Sequence, residues 1–282
     1  MHIPDGFLSP PVWGAFDVLA VPAVGLVARK AGGRIDDRNL PLLGVMGAFV
    51  FAAQMINFPV GLGTSGHLVG GTLLAIILGP APAAMVMTAI IAIQALVFQD
   101  GGIIALGANI FNMAVVGVLA GYLPYRLWGA RWNSPAIFVG GVLSVLTSAC
   151  LALSELLASG VPMPRRILFV SLGLFVVSAL LEGAITLAAV RAIERLNPAW
   201  VSGVKPSGSR VIGFVAITAV VLAVLGILVA STDPDGIQKL VSVQPDFGSP
   251  WLRKAGAGFA GLIVIYGACM LGGKLLTRPR SS

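Results

Sequence analysis

The chain has 282 residues, of which 57% are hydrophobic and 10% are charged, and its mean hydropathy is +0.96. This composition excludes a soluble globular domain, and the apolar runs are long enough to cross a bilayer core about 30 Å thick. The net charge of +7 comes from basic residues in short loops, which is typical of cytoplasmic loops and argues against a nucleic-acid surface. We therefore expect a protein embedded in a lipid membrane, with no nucleic acid as partner.

The N-terminus carries the groups of a metal chelator. The chain begins Met1-His2-Ile3-Pro4-Asp5-Gly6, and the only other histidine is His67. The α-amine, the backbone nitrogen of His2 and its ring nitrogen can bind one metal through fused five- and six-membered rings, and the ring of His67 would complete a square. Planar nitrogen coordination suits Ni²⁺ or Cu²⁺, whereas structural zinc is tetrahedral. Any chain can begin Met-His, so the pairing carries weight only if both histidines lie on one side of the membrane.

The same segment lacks the features of a cleavable targeting signal. Its first ten residues contain no Lys or Arg, so the charged region of a signal peptide is missing. We expect Met1 to be retained, because the bulky His2 follows it. A retained Met1 is what an amine ligand requires.

Nine apolar runs predict an all-α integral membrane protein with nine spans. The runs lie near residues 11–28, 40–58, 67–79, 83–98, 107–125, 136–158, 167–190, 211–230 and 256–276. The third and fourth runs are short and separated by Gly79-Pro80-Ala81-Pro82, which leaves open either two tilted spans or one broken helical hairpin.

The distribution of basic residues predicts the orientation in the plasma membrane. With the N-terminus outside and the C-terminus cytoplasmic, thirteen of the eighteen Lys and Arg residues lie on the cytoplasmic side. Residues 59–66 then connect two spans on the outer side. Met1, His2 and His67 are therefore expected to share one face.

Several polar residues in the predicted spans have two interpretations. The carboxylates Asp17, Glu155 and Glu182 are expected to make interhelical hydrogen bonds or to lie near headgroups. The amides Asn109 and Asn112 are three residues apart and so share one helix face. Such amides hold helices together or, alternatively, orient metal-binding groups. The two cysteines, Cys150 and Cys269, have no paired spacing and are expected to be core packing residues.

The last quarter of the chain is separated from the rest by a predicted linker and contains only two predicted spans. A Gly/Ser/Pro-containing stretch near 197–210 is typical of a cytoplasmic linker, and only two spans follow it. We predict a first domain over residues 1–204 and a two-span accessory domain over residues 205–282. The chain has no nucleotide-binding loop and no catalytic motif, so we expect no enzyme activity and no bound nucleotide.

Three motifs resemble the nickel/cobalt substrate-binding component of energy-coupling factor transporters, the NikM/CbiM family. They are the N-terminal segment 1–10, Gly63-Thr64-Ser65-Gly66-His67, and Gln99-Asp100-Gly101-Gly102 with Gly107-Ala108-Asn109-Ile110-Phe111-Asn112. The resemblance covers about residues 1–200, and Pro234-Asp235-Gly236 resembles a signature of the small accessory N component.

The resemblance implies a seven-helix substrate-binding bundle plus two additional transmembrane helices. It implies Ni²⁺ or Co²⁺ as transported substrate, held by the Met1 amine, the backbone and ring nitrogens of His2, and the ring of His67. The motif residues expected to surround the metal are Thr64, Ser65, Gln99, Asp100, Asn109 and Asn112. The implied partners are a transmembrane coupling (T) subunit and a pair of cytoplasmic ABC-type ATPases. A membrane metal sensor or store without an ATPase partner, and a membrane enzyme, remain alternative functions.

Overall fold

The computed structural model describes residues 1–35, 40–61, 64–196, 209–229, 237 and 251–276. Its helices are α1 (Pro10–Gly32), α2 (Leu40–Gln54), α3 (Gly71–Leu78), α4 (Pro80–Phe98), α5 (Leu106–Asn109), α6 (Val118–Trp128), α7 (Asn133–Ala158), α8 (Arg165–Leu196), α9 (Ser209–Val229) and α10 (Trp251–Leu276). A π-helical segment, Ile110–Gly117, joins α5 and α6 into one continuous helix. Two short antiparallel strands, β1 (Phe58–Gly61) and β2 (Thr64–Gly66), form a hairpin between α2 and α3.

The all-α membrane fold is confirmed, with this small hairpin as its only strands within the described residues. Five helices are long and apolar enough to cross a membrane, and shorter apolar helices accompany them. Every predicted span contains a helix. Seven of these helical segments lie within residues 1–196, and two follow.

The third predicted span is a short helix followed by a sharp turn. Helix α3 has eight residues, so it is about 12 Å long and cannot cross the bilayer alone. Gly79 ends α3 and begins α4 with a φ of 86°, a conformation that favours glycine. Helix α4 runs back toward the loop that precedes α3. Helix α4, in contrast to α3, has 19 residues and is long and apolar enough to cross a membrane.

The C-terminal helices pack along α2. Both α9 and α10 contact α2, and Ile265 and Cys269 of α10 lie against Gly47. The predicted linker, residues 197–208, lies outside the described residues. Cys269 is buried as expected, but the prediction for Cys150 is wrong, because that residue is exposed on α7. The next residue toward the N-terminus, Ala149, is buried instead, so Cys150 lies on the outward face of the helix.

Candidate metal centre

The N-terminal segment is inserted into one end of the bundle. His2 is 2% exposed and Ile3 is fully buried. The Ile3 N–H donates to Oδ1 of Asn109 at 2.8 Å, and Nδ2 of Asn109 donates back to the Ile3 carbonyl at 3.0 Å. The backbone N–H of Gly102 donates to the same carbonyl at 2.9 Å. One amide side chain therefore binds both the N–H and the carbonyl of Ile3, the residue that follows His2.

Two glycines let the turn after α4 approach this segment. Gly101 has a φ of +97°, and a Cβ there would lie 2.9 Å from Cβ of His2. A Cβ on Gly102 would collide with Asp5. The Asp5 carboxylate accepts hydrogen bonds from the backbone N–H groups of residues 103–105, which precede α5. Asp5 thus fixes the position of the segment against the residues before α5.

The N-terminal amine meets His67, which is 66 residues away in the chain. The Met1 nitrogen lies 3.2 Å from Nε2 of His67. Nδ1 of His67 lies 2.9 Å from the carbonyl of Leu68, and because a carbonyl only accepts, Nδ1 carries the proton. Nε2 therefore presents its lone pair toward the amine. The rings of His2 and His67 are nearly parallel, at 12°, with centroids 6.0 Å apart.

The surroundings keep the His67 ring neutral. Burial, and next the positive charge of the adjacent N-terminal amine, lower its pKa to about 4. An imidazole with this pKa is unprotonated at neutral pH. Neutral imidazole is the form that binds a metal.

The backbone after His67 is held by a carboxylate from α8. The N–H groups of Val69 and Gly70 donate to the two oxygens of Glu182 at 2.7 and 2.9 Å. The hydroxyl of Thr186, one turn further along α8, approaches the same carboxylate at 3.5 Å. Glu182 was expected to bond between helices or lie near headgroups, and it instead binds the loop that carries His67.

Two glutamines bind the carbonyl side of the Val69–Gly70 peptide, opposite the N–H that Glu182 binds. Nε2 of Gln54 donates to the carbonyl of Val69 at 2.7 Å, and Nε2 of Gln94 donates to Oε1 of Gln54 at 2.8 Å. Both glutamines are buried. The Val69 peptide is therefore fixed between α2 and α8, and the orientation of His67 is fixed with it.

The structure places the other predicted site residues differently from one another. Asp100 approaches the site, with Oδ1 3.3 Å from Nδ1 of His2, and its side chain is 42% exposed. Gln99 is exposed and ends α4 with a φ of 55°. Its left-handed backbone conformation forms the turn that leads from α4 to Asp100. Asn112 bonds to Glu155 at 3.0 Å, so of its two interpretations the one that holds helices together fits. The side chains of Thr64 and Ser65 lie outside the described residues.

Side chains alone do not form a usual metal site here. Within the described part of the chain, no group of three His, Cys, Asp or Glu residues is placed to hold a metal. The nitrogens brought together are the Met1 amine, the His2 ring and backbone, and the His67 ring. A site built from them depends on a free N-terminus, since the amine is one of its donors.

The helices and the nitrogen-lined end of the bundle define a multi-pass membrane protein with a candidate transition-metal site. The family described as CbiM, cobalt uptake substrate-specific transmembrane region, matches residues 2–200. The chain is 50% identical over 149 residues to a Haloquadratum walsbyi protein provisionally named a metal transport protein, covering 53% of this chain and 68% of that protein. It is 38% identical over 200 residues to an Archaeoglobus fulgidus protein provisionally named fused nickel transport protein NikMN, covering 70% and 67%.

A solved structure agrees with these relatives. A crystal structure described as a truncated transition metal transporter has a TM-score of 0.62 and 32% identity, over 70% of this chain and 99% of that one. The chain belongs to the CbiM family. It is a cobalt or nickel transport component of a metal uptake system.

Proposed function

We propose that this chain is the substrate-specific component of an ATP-driven uptake transporter and captures Ni²⁺, or Co²⁺, at its N-terminus. The metal is bound by the Met1 amine, the deprotonated backbone nitrogen of His2, Nδ1 of His2 and Nε2 of His67. The observation that carries this proposal is the approach of the Met1 amine to Nε2 of His67, at 3.2 Å, with the lone pair of that nitrogen available.

The distance between the Met1 amine and Nε2 of His67 supports the fused chelate rings. In such a chelate the amine and Nδ1 of His2 occupy opposite corners of the square, so the fourth nitrogen is next to the amine. With metal–nitrogen bonds of about 2.0 Å, neighbouring corners are about 2.8 Å apart. The observed 3.2 Å requires a small approach of the two groups. Nδ1 of His2 faces Asp100, so the ring of His2 must turn from that carboxylate toward the metal.

The donor set favours nickel over cobalt. Replacement of an amide proton needs a metal with high affinity for nitrogen, and Ni²⁺ exceeds Co²⁺ in the usual order of divalent affinities. Metal supply in the cell can override this order. We therefore propose Ni²⁺ as the preferred substrate and Co²⁺ as an accepted one.

The remaining parts of the proposal concern topology and partners. The positive-inside distribution supports an outer N-terminus and a cytoplasmic C-terminus. Residues 205–282 serve as an accessory domain, and its helices α9 and α10 pack along α2. ATP is hydrolysed by partner ATPases that act through a coupling subunit, because this chain has no nucleotide-binding loop. Metal uptake that depends on co-expressed ATPases separates this function from that of a sensor or store.

We expect metal binding to weaken as the pH falls, because protons compete for the same nitrogens. The α-amine must be deprotonated to bind the metal, and the amide proton of His2 must also leave. The His67 ring, with its pKa lowered to about 4 by burial and by the adjacent amine, adds no proton near neutral pH. Each displaced proton makes the apparent affinity fall about tenfold per unit of pH, so two displaced protons give about a hundredfold. Isothermal titration in buffers of different ionisation enthalpy counts these protons.

The variant Asp100→Asn is the control for this titration. If the metal is bound by the four nitrogens, metal binding to this variant still releases protons. If the metal is bound by carboxylates, the variant loses metal affinity. Binding that releases no protons and is unchanged down to about pH 5 would contradict the proposal. Such a result would indicate carboxylate ligands such as Asp5 and Asp100.

A further inference from the structure

Two glutamates are buried inside the bundle, and their surroundings differ. Glu182 and Glu155 are each 2% exposed. Both oxygens of Glu182 accept backbone N–H groups, as expected for a carboxylate that must keep its charge away from water. Oε2 of Glu155 accepts one bond, from Nδ2 of Asn112 at 3.0 Å. Its Oε1 is buried and has no hydrogen-bond partner among the described residues.

The side chain of Asn112, which binds Glu155, also has an oxygen that lacks a hydrogen-bond donor. Oδ1 of Asn112 is also buried without a hydrogen-bond partner in the described part of the chain. One acid oxygen and one amide oxygen are therefore unpaired on two side chains that already share a hydrogen bond. Two unpaired buried acceptors are costly, since each loses its bonds to water. A single proton on Glu155 would supply the missing donor, because a protonated carboxyl donates through one oxygen and accepts through the other.

We propose that Glu155 and Asn112 form a buried proton-binding site between α7 and the π-helical segment, with the proton on Glu155 donated to the Asn112 carbonyl. The two side chains then form a cyclic acid–amide pair with both hydrogen bonds made. The pair carries no net charge inside the membrane. It does not depend on the metal ligands proposed above.

The neighbouring groups favour a proton over a metal cation. The hydroxyl of Ser148 on α7 is bonded to the carbonyls of Asn112 and Ser144, so it is directed to the backbone. The carboxylate of Glu182 on α8 is bonded to Val69 and Gly70. Two oxygens remain for a cation, whereas Mg²⁺ and Ca²⁺ take six or more oxygen ligands. A proton needs only these two.

Infrared spectroscopy of the full chain tests the site without any substitution. The chain contains three glutamates, Glu155, Glu182 and Glu194. Isotopically labelled glutamate therefore shifts the infrared bands of only three carboxyl groups. We expect the metal-free protein at neutral pH to show the carbonyl stretch of a protonated carboxylic acid, and this band to move when the glutamates are labelled. Absence of a label-sensitive acid band would overturn the proposal. A cation between the oxygens would also give carboxylate bands only.

Two matched variants assign the band. Glu155→Gln replaces the acid by an amide that can make both bonds to Asn112, so we expect the chain to fold and the acid band to disappear. Glu182→Gln alters the other buried glutamate, and we expect the band to remain. A band that persists in Glu155→Gln, or that disappears only in Glu182→Gln, would place the proton elsewhere and contradict the proposal. If either variant fails to fold, the labelled native chain still decides whether a buried glutamic acid is protonated.

Discussion

We expect one extra residue before Met1 to weaken nickel binding by more than about a hundredfold while the fold is retained. An extension converts the amine into a peptide nitrogen, which removes a ligand and lengthens the chain at the point where Met1 approaches His67 at 3.2 Å. Loss of groups that only support metal ligands already costs about 10–100-fold in affinity, so loss of a ligand costs more. Ile3 remains held by Asn109, which preserves the inserted segment. Isothermal titration of proteins with cleaved and uncleaved N-terminal tags measures the difference.

A C-terminal tag is the control for this experiment. The last described residues belong to α10, which packs mainly along α2. A C-terminally tagged protein is expected to bind nickel like the untagged one. An N-terminally extended protein with unchanged nickel affinity would contradict a ligand role for the Met1 amine.

The second large effect is expected from the two histidines. His2→Ala removes one ring ligand and His67→Ala removes the other, so each variant is expected to lose nickel uptake to the background of cells without the transporter. The ring of His67 is oriented by the backbone carbonyl of Leu68, and the loop that follows it is bonded to Glu182. Uptake of radioactive nickel, with the partner subunits co-expressed, measures the loss.

The cysteines provide matched controls. Cys150 is exposed on α7, and Cys269 is buried against α2. Cys150→Ala and Cys269→Ala are expected to transport nickel like the unaltered protein. Loss of metal binding in a cysteine variant, together with normal binding in His67→Ala, would show that the ligands are wrongly assigned.

Most of the fold could be predicted, because apolar runs and loop charges are local properties of the chain. Each predicted span contains a helix, and the interruption at Gly79 and Pro80 was visible as a sequence of turn residues. The arrangement around that interruption was not predictable. It depends on α3 being short and on the loop before it lying between α2 and α8. Such contacts involve residues that are far apart in sequence.

The candidate site was predicted in part for the same reason. Topology indicated that Met1, His2 and His67 share a face, and the motif spacing indicated Asn109 and Asn112 together. The roles of Gln54 and Glu182 were not predicted, because their hydrogen bonds reach Val69 across 15 and 113 residues. Asn112 has the same residue type and nearly the same position as Asn109, yet it bonds to Glu155. Only the packing of α7 against the π-helical segment separates the two roles.

The most direct test of the four-nitrogen site is X-ray absorption spectroscopy of nickel bound to the protein with its native N-terminus. The account predicts a square-planar Ni²⁺ with four nitrogen neighbours, the scattering pattern of two imidazole rings, and the diamagnetism of low-spin nickel. His67→Ala should lose one imidazole contribution from this spectrum. Six oxygen and nitrogen neighbours around a paramagnetic Ni²⁺, or any sulfur neighbour, would contradict the amine–amide–imidazole site.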